Sequence, residues 1–271
     1  MNSTKFSEKY LRSEGIDLAR GFAMLAMIFY HFCWDLGEFG ILDRDSVNSG
    51  AWRVFAQLIG SSFLFISGMS FWLYYSCGGN KRKFVSRIIK LIAASLCVSI
   101  ATFYAYGDYF IFFGILHLLT ACTFLAVILV RLPISTLVIC AIFVGSFGHY
   151  FTYDFFGTRY FAWSGLYSGS IGTVDFYPFF PWACPYIIGI IFAKIIYQED
   201  SFHRVKILKT LLDTCSYIIS EVFRRAQKVR HFLIIRKSSK KILIFFSSYS
   251  LYIYLIHQPV LFAIIFLVLE F

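Results

Sequence analysis

From residue 17 to residue 35, four acidic, basic or histidine side chains lie in one strongly apolar stretch near the N-terminus, residues 12–37. They are Asp17, Arg20, His31 and Asp35, and a helical rotation of ~100° per residue places all four on one narrow stripe. Because ionisable groups are costly inside a bilayer, this aligned stripe is predicted to face a polar cavity. The simpler alternative is an Arg–Asp pair at the membrane interface together with one buried histidine. This alternative gives no reason for the four residues to share one face of the helix.

The types and spacing of these residues point to acid–base chemistry. His31 and Asp35 are one helical turn apart, so their side chains can touch. An imidazole beside a carboxylate is the usual arrangement of a general base, because the acid selects the tautomer and stabilises the imidazolium. Arg20 lies roughly 16 Å from His31 along the helix axis, at ~1.5 Å per residue. The stretch therefore predicts a base, its orienting acid and a cation below them.

The composition indicates a polytopic, all-α membrane protein. Its 271 residues are 59% hydrophobic and 15% charged, with a mean hydropathy of +0.70, whereas soluble domains are about 25% charged. Residues 1–17 are predicted to form a cytoplasmic tail, and residues 18–271 a single transmembrane domain with a cytoplasmic amphipathic insertion at about 198–246. The predicted spans, each close to the ~20 residues that cross a bilayer, are 18–37, 54–75, 88–106, 112–130, 134–151, 180–197 and 247–267.

The distribution of charge predicts the orientation. With a cytoplasmic N-terminus, all of the 25 basic residues except Arg44, Arg53 and Arg159 fall on the inner side. Such a bias predicts a cytoplasmic N-terminus and an external C-terminus. The net charge of +10 is then a cytoplasmic surplus that faces anionic lipid or an anionic ligand, and it does not indicate nucleic-acid binding.

Other kinds of chemistry lack a signature. His117 and His257 also lie within predicted spans, but no HxxxH or HExxH spacing occurs, so no metal site is predicted. The seven cysteines are scattered without a CxxC pair and are interpreted as buried apolar residues. No GxSxG elbow, P-loop or dinucleotide fingerprint occurs. An intramembrane transporter or proton-conducting bundle that uses the same polar stripe remains the alternative to an enzyme.

Four blocks of the chain, in order, resemble transmembrane acyltransferases: IDLARGFAMLAMIFYHF, FGILHLL, DFYPFFPW and YLIHQPV. The first resembles the opening of that superfamily. The other three resemble one branch, the bacterial relatives of the heparan-alpha-glucosaminide N-acetyltransferase catalytic domain. The resemblance runs from about residue 12 to residue 265. One departure is near position 184, where a glycine is expected and Cys184 stands, followed by Pro185.

The resemblance implies an integral enzyme of the bacterial plasma membrane that transfers an acyl group, usually acetyl, from acyl-coenzyme A. The acceptor is a hydroxyl or amine, commonly of a cell-envelope glycan, and no metal is implied. The wider superfamily implies that His31 is the base, and Asp35 is expected to orient it. The oligomeric state stays open.

Further roles follow from the same resemblance. The donor phosphates are expected to bind Arg20 and the basic loop residues Lys81, Arg82 and Lys83, since such side chains match phosphate in charge and geometry; the alternative is that the basic loops serve topology alone. The Gly- and Tyr-rich residues 152–180 are expected to cover the acceptor from outside. Apolar residues at helical spacing predict an amphipathic helix on the inner leaflet at 202–230, and a solvated connector is the alternative. The residues expected to hold the substrate or polarise its carbonyl are His117, Asp175, Trp182, His257 and Gln258.

Overall fold

The computed structural model describes residues 14–150, 159–167, 172–197 and 232–270, with the backbone alone described at 48, 149–150, 159–160, 232–239 and 270. Within these ranges the chain forms ten α-helices and no β-strand. The helices are α1 (Glu14–Glu38), α2 (Arg44–Asn48), α3 (Gly50–Ser76), α4 (Lys81–Tyr106), α5 (Ile115–Leu129), α6 (Ile134–Tyr150), α7 (Phe179–Trp182), α8 (Cys184–Tyr197), α9 (Phe232–Ser248) and α10 (Ser250–Glu270).

The helices confirm a polytopic α-helical membrane bundle. Five helical segments of the described chain are long and apolar enough to cross a membrane, and two further apolar helices are shorter. Each predicted span coincides with one of these seven segments, while the orientation of the termini stays a prediction. The five long segments are Glu14–Glu38, Arg44–Ser76, Lys81–Tyr109, Phe179–Tyr197 and Ser250–Leu269, and the shorter two are Ile115–Leu129 and Ile134–Gly148.

Some predicted segments lie outside the described residues. They are most of the N-terminal tail (1–13), two parts of the external segment (152–158 and 168–171) and residues 198–231, which include the predicted amphipathic helix at 202–230. The division into a tail and one domain likewise stays a prediction.

Helix α1 presents its polar stripe to the protein and its apolar side outwards. Phe22 and Phe29, on the apolar side, are 70% and 53% exposed, whereas Met24 and Met27, beside the polar stripe, are 1% and 4% exposed. The surrounding lipid accepts apolar side chains and rejects ionisable ones. A span with a functional polar stripe is therefore expected to turn that stripe towards the protein and its apolar side towards the lipid.

The start of α4 corrects one prediction. Lys81, Arg82 and Lys83 were expected in a loop, but they form the first turn of α4. Asn80 is the reason, because its side-chain oxygen accepts hydrogen bonds from the backbone N–H groups of Arg82 and Lys83, at 2.8 and 3.4 Å. The basic residues are therefore held on a rigid helix.

Helix α9 is an element that the sequence did not predict, since residues up to 246 were assigned to an insertion. It packs along α1, where a β-carbon at Gly21 would overlap the backbone carbonyl of Leu243. Lys240 of α9 also forms an ion pair with Glu14 of α1. Gly21 thus permits the close approach of two backbones that small residues provide in membrane bundles.

The sixth predicted span is divided in two. The span was predicted as one helix over 180–197, but the short α7 contains Pro181, and the long helix α8 begins at Cys184 with Pro185 in its first turn. A proline is tolerated there because the first N–H groups of a helix have no intrahelical acceptor. Helix α8 then crosses α3 closely, since β-carbons at Gly68 and Gly189 would each overlap the other helix's backbone.

Candidate active site

The centre of the candidate site is a pair of histidines from the first and last spans. The imidazole rings of His31 on α1 and His257 on α10 lie 4.9 Å apart between centroids, with an interplanar angle of 59°. Tyr30 packs edge-on against His31 at 5.5 Å, and Tyr254 lies 5.6 Å from His257. The sequence predicted each histidine as a candidate by itself, and the structure brings these two together.

Each ring of the pair has a buried nitrogen without a hydrogen-bond partner among the residues that the structure describes. His257 Nδ1 lies 2.7 Å from the Tyr254 carbonyl oxygen. Because a carbonyl only accepts, Nδ1 carries the proton, and Nε2 of the neutral ring holds a lone pair. This Nε2 atom and Nδ1 of His31 are both buried and unpaired. Two adjacent imidazoles therefore present nitrogens that are free for proton transfer.

Asp35 is fully buried, but its partner is not the predicted one. No hydrogen bond joins its carboxylate to His31; instead the side-chain Nε2 of Gln258 donates to Asp35 Oδ1 at 2.6 Å. The second carboxylate oxygen has no hydrogen-bond partner in the described parts of the chain. Helix geometry made a contact between His31 and Asp35 possible, but a donor from α10 occupies the carboxylate. Asp35 therefore holds the helix that carries His257 beside α1.

His117 has both ring nitrogens engaged within the fold. The Gly114 N–H donates to Nδ1 at 3.3 Å, so in the neutral ring Nε2 carries the proton and donates to Ser99 Oγ at 3.1 Å. The Ser99 hydroxyl in turn donates to the Ile111 carbonyl at 2.6 Å. This chain of bonds ties the loop before α5 to α4, which is a structural arrangement. The predicted substrate contact of His117 stays a prediction.

Asp175 closes the N-terminus of α5. Its Oδ2 accepts the backbone N–H of Ile115 at 3.1 Å. Burial raises the pKa of this carboxyl to about 6, although the Ile115 bond opposes the shift. Tyr30, Tyr177 and Tyr254 lie within electrostatic range of the same carboxyl. The segment that carries Asp175 therefore passes beside the residues that flank the histidine pair.

Trp182 supports this segment from α7. Its ring packs edge-on against Tyr177, with centroids 4.7 Å apart, and it is partly buried against the main apolar core. Tyr177 in turn covers Gly60 of α3, where a β-carbon would overlap the phenol ring. The position of Trp182 is that of a packing residue, and its predicted contact with substrate stays a prediction.

Arg20 joins three helices. Its Nη2 donates to Ser70 Oγ at 2.5 Å, and its Nη1 lies 3.4 Å from Ser247 Oγ and 3.5 Å from Asp17 Oδ1. Ser247 also donates to Asp17 Oδ1 at 3.0 Å. The predicted polar stripe of α1 is therefore present. In its N-terminal half, Asp17 and Arg20 bond to serines of α3 and α9.

A cavity of about 650 Å³ lies against Arg20, a volume in the range of small-molecule sites, about 300–1,000 Å³. Its lining includes serines from α3, α4, α9 and α10 and, among the described residues, no acidic side chain. It reaches Met24 on α1 and Tyr254 on α10, the residue whose carbonyl holds His257. The charged side chains of this described lining are all cationic: Arg20, Arg82, Lys83, Arg87 and Lys90.

Three of the four cations predicted to bind the donor line this cavity, and one does not. Arg20, Arg82 and Lys83 line it together, although Arg20 and the other two come from different helices. Lys81 does not line it and lies on the outer surface of α4. Among the described residues no cluster of three or more His, Cys, Asp or Glu side chains suits a metal ion.

Sequence reasoning missed two cations of the cavity. Arg87 and Lys90 were counted only as topological charge, yet they line the cavity one and two turns beyond Lys83. Their spacing from Arg82 and Lys83 at helical intervals was the available signal, once these residues are placed on a helix. The sequence offered no such signal that Ser247 and Tyr254 line the cavity, because their positions depend on how α9 and α10 pack.

Fold and site together define a multi-pass α-helical membrane protein with a histidine pair and a cation-lined cavity that reaches Tyr254 beside His257. The family model of the heparan-alpha-glucosaminide N-acetyltransferase catalytic domain matches residues 12–218. The chain belongs to this family, which confirms the predicted resemblance and points to a membrane acetyltransferase. The YLIHQPV block with His257 lies beyond the matched residues. Comparisons with curated proteins and with solved structures found no match.

Proposed function

We propose that the protein transfers an acetyl or other acyl group from acyl-coenzyme A to a hydroxyl or amine of a cell-envelope glycan, in the bacterial plasma membrane. The observation that carries this proposal is the pair of His31, which is partly buried, and His257, which is buried, together with a cavity that reaches Tyr254 beside His257 and whose charged lining among the described residues is cationic alone. A polyanionic donor and a reaction that needs a base fit these two features.

The cavity supplies the binding site for the donor. The donor's phosphates bind Arg82, Lys83 and Arg87, and Arg20 lines the same cavity from α1, because several cations in a confined site favour phosphate. The thioester arm extends along α1 towards His31, which lies roughly 16 Å above Arg20. Met24 and Tyr254 are the lining residues of the cavity that lie on this path.

The reaction is a single displacement at the acyl carbon. His31 accepts the proton of the acceptor hydroxyl or amine as that oxygen or nitrogen forms a bond to the thioester carbonyl carbon. The carbon–sulfur bond then breaks, and the sulfur receives the proton from the imidazolium. The neighbouring Nε2 of His257 is placed to share this proton, and the Asp35–Gln258 bond keeps the two helices in register.

The acceptor approaches from the end of α1 that carries His31. Asp175 and its neighbours pass beside Tyr30, so the segment before α7 forms one wall of this approach. Trp163 presents an aromatic face that is 47% exposed and is supported from behind by Phe113 at 6.2 Å. An exposed, supported indole of this kind suits the apolar face of a sugar ring.

The test uses membranes that contain the protein, incubated with acetyl-coenzyme A labelled in its acetyl group. Label on envelope glycans and release of free thiol are both followed. We expect wild type to show both signals in equal amounts and the His31→Ala variant to lose them at unchanged protein level. The matched control is Phe32→Ala, because Phe32 is the next residue on α1 but is 39% exposed on the apolar side; it should retain transfer.

Equal transfer by wild type and His31→Ala would remove His31 from the chemistry. Thiol release without labelled glycan would support acetyl-coenzyme A as the donor and would exclude a glycan as the acceptor. The alternative of a proton- or solute-conducting bundle predicts flux in sealed vesicles with no thiol release. That outcome would overturn the acyltransferase proposal.

A further inference from the structure

We propose that the outward face of α4 binds an anionic glycerophospholipid, with the headgroup at the N-terminal turns of this helix and an acyl chain along its apolar side. The site shares Arg82, Ser86 and Lys90 with the donor cavity but opens on the outward side of α4, and its test does not depend on the proposed reaction. It rests on a groove, on cations that have no partner among the described residues and on a continuous apolar stripe.

The groove has a volume of about 540 Å³ and lies entirely on α4. Its lining alternates between basic or polar and apolar side chains over more than two turns of helix. The lining residues are Lys81, Arg82, Val85, Ser86, Ile89 and Lys90. Arg82, Ser86 and Lys90 also line the cationic cavity, so they form the wall between the two spaces.

The cations of the groove are not neutralised by the parts of the chain that the structure describes. The side chains of Lys81, Arg82 and Lys90 are exposed and make no hydrogen bond or ion pair with any described residue. Three cations within about 14 Å of helix, at ~1.5 Å per residue, favour an anionic headgroup. The attraction comes from side chains on successive turns and does not depend on the end of the helix.

The apolar half of the site continues from the groove along α4. Its exposed residues recur every three or four positions on the same side of the helix, as a lipid-facing stripe requires. This stripe starts beside the cations, so one molecule with an anionic head and a long apolar chain covers both. A soluble phosphate would satisfy only the cations. The stripe comprises Val85, Ile89, Ile92, Leu96, Ile100 and Phe103, each 39–59% exposed.

Two lysines of the same turn allow a matched test. Lys81 lines the groove and not the cavity, whereas Lys83 lines the cavity and not the groove. Substituting either one by alanine removes the same charge from the same exposed turn. A specific lipid site depends on Lys81, while a general surface-charge effect depends equally on both.

The experiment measures the association of spin-labelled phosphatidylglycerol with the purified full-length protein, relative to spin-labelled phosphatidylcholine, in phosphatidylcholine vesicles. We expect wild type to prefer phosphatidylglycerol. Lys81→Ala should lower this preference about fivefold, from ~1 kcal/mol per basic residue near the surface, and Lys83→Ala should leave it within about twofold. Sodium chloride at ~1 M should weaken the preference, because it screens exposed charges.

Three outcomes would overturn the lipid site. One is the absence of a preference in wild type, and another is an equal loss in the Lys81 and Lys83 variants. The third is displacement of the labelled lipid by millimolar glycerol phosphate, which would assign the cations to a soluble phosphate. Thiol release from acetyl-coenzyme A, assayed in parallel, tests the proposed reaction by itself, so failure of one idea is distinguishable from failure of the other.

Discussion

The side-chain amide of Gln258 donates a hydrogen bond of 2.6 Å to the carboxylate of Asp35, which is fully buried between the first and last spans. The bond joins α1 to α10 one turn above the place where His31 and His257 meet. It therefore couples the packing of two helices to the geometry of the histidine pair.

The Asp35–Gln258 bond should contribute measurably to stability. Removing the amide leaves a buried carboxylate without a donor, so Gln258→Ala is expected to lower the free energy of unfolding by about 2 kcal/mol. In a double-mutant cycle with Asp35→Ala, the coupling energy should fall between about 0.5 and 3 kcal/mol. Chemical unfolding in detergent micelles provides the measurement. Additive effects of the two substitutions would show that the bond contributes nothing.

His257 should matter to the reaction as much as His31 does, because their rings are adjacent. His31→Gln and His257→Gln are each expected to lower kcat by about 10²–10⁴ with little change in the KM for acetyl-coenzyme A. If the rings share one proton, the double variant should be little worse than either single one. Thiol release under saturating donor measures this. A double variant whose losses multiply would assign the two rings to separate steps.

The packing of α9 on α1 should depend on Gly21. Gly21→Ala places a β-carbon against the Leu243 carbonyl, so it is expected to lower the free energy of unfolding by about 1–3 kcal/mol. Gly37→Ala is the matched control on the same helix, since its β-carbon meets Val47 only at an ordinary distance of 3.6 Å. That variant should be neutral or stabilised by up to about 1 kcal/mol. Equal thermal stability of the two variants would contradict the close contact.

The stability of the protein should depend on pH through Asp175. Because burial raises the pKa of this carboxyl to about 6, the folded state binds the proton more tightly than the unfolded state. This tighter binding of the proton stabilises the folded state by a total of about 3 kcal/mol. The stabilisation is fully present below about pH 4 and is lost as the pH rises through 6. Asp175→Asn should remove the contribution of this carboxyl and so make the pH dependence shallower. Thermal unfolding of both proteins between pH 4 and 7 tests it.

Asp43 provides a control of opposite sign for the pH measurement. Hydrogen bonds from Ser46 lower the pKa of this exposed carboxyl. Its contribution is therefore present above the ordinary pKa of aspartate and is lost as the pH falls. Asp43→Asn should leave the loss of stability between pH 4 and 6 intact. A wild-type protein that gains stability over this range would contradict the assignment to Asp175.

Much of the fold was predictable because it follows from local properties of the chain. Apolar length predicts the spans, and helical periodicity predicts that Arg20 and His31 share one stripe. Errors occurred at helix boundaries that capping sets, as at Asn80 before α4. Helix α9 was missed because its basic residues interrupt the apolar sequence, which is then too short to predict a span.

By itself, the sequence determined a helical membrane protein, its family and the polar face of its first span, since composition and periodicity act over a few turns. Only the tertiary structure decided which side chains meet that face. His257 and Gln258 reach α1 because α10 packs beside it, and Arg20 shares a cavity with Arg82 because α4 stands opposite α1. Such contacts depend on how whole helices pack, and no local spacing in the chain encodes them.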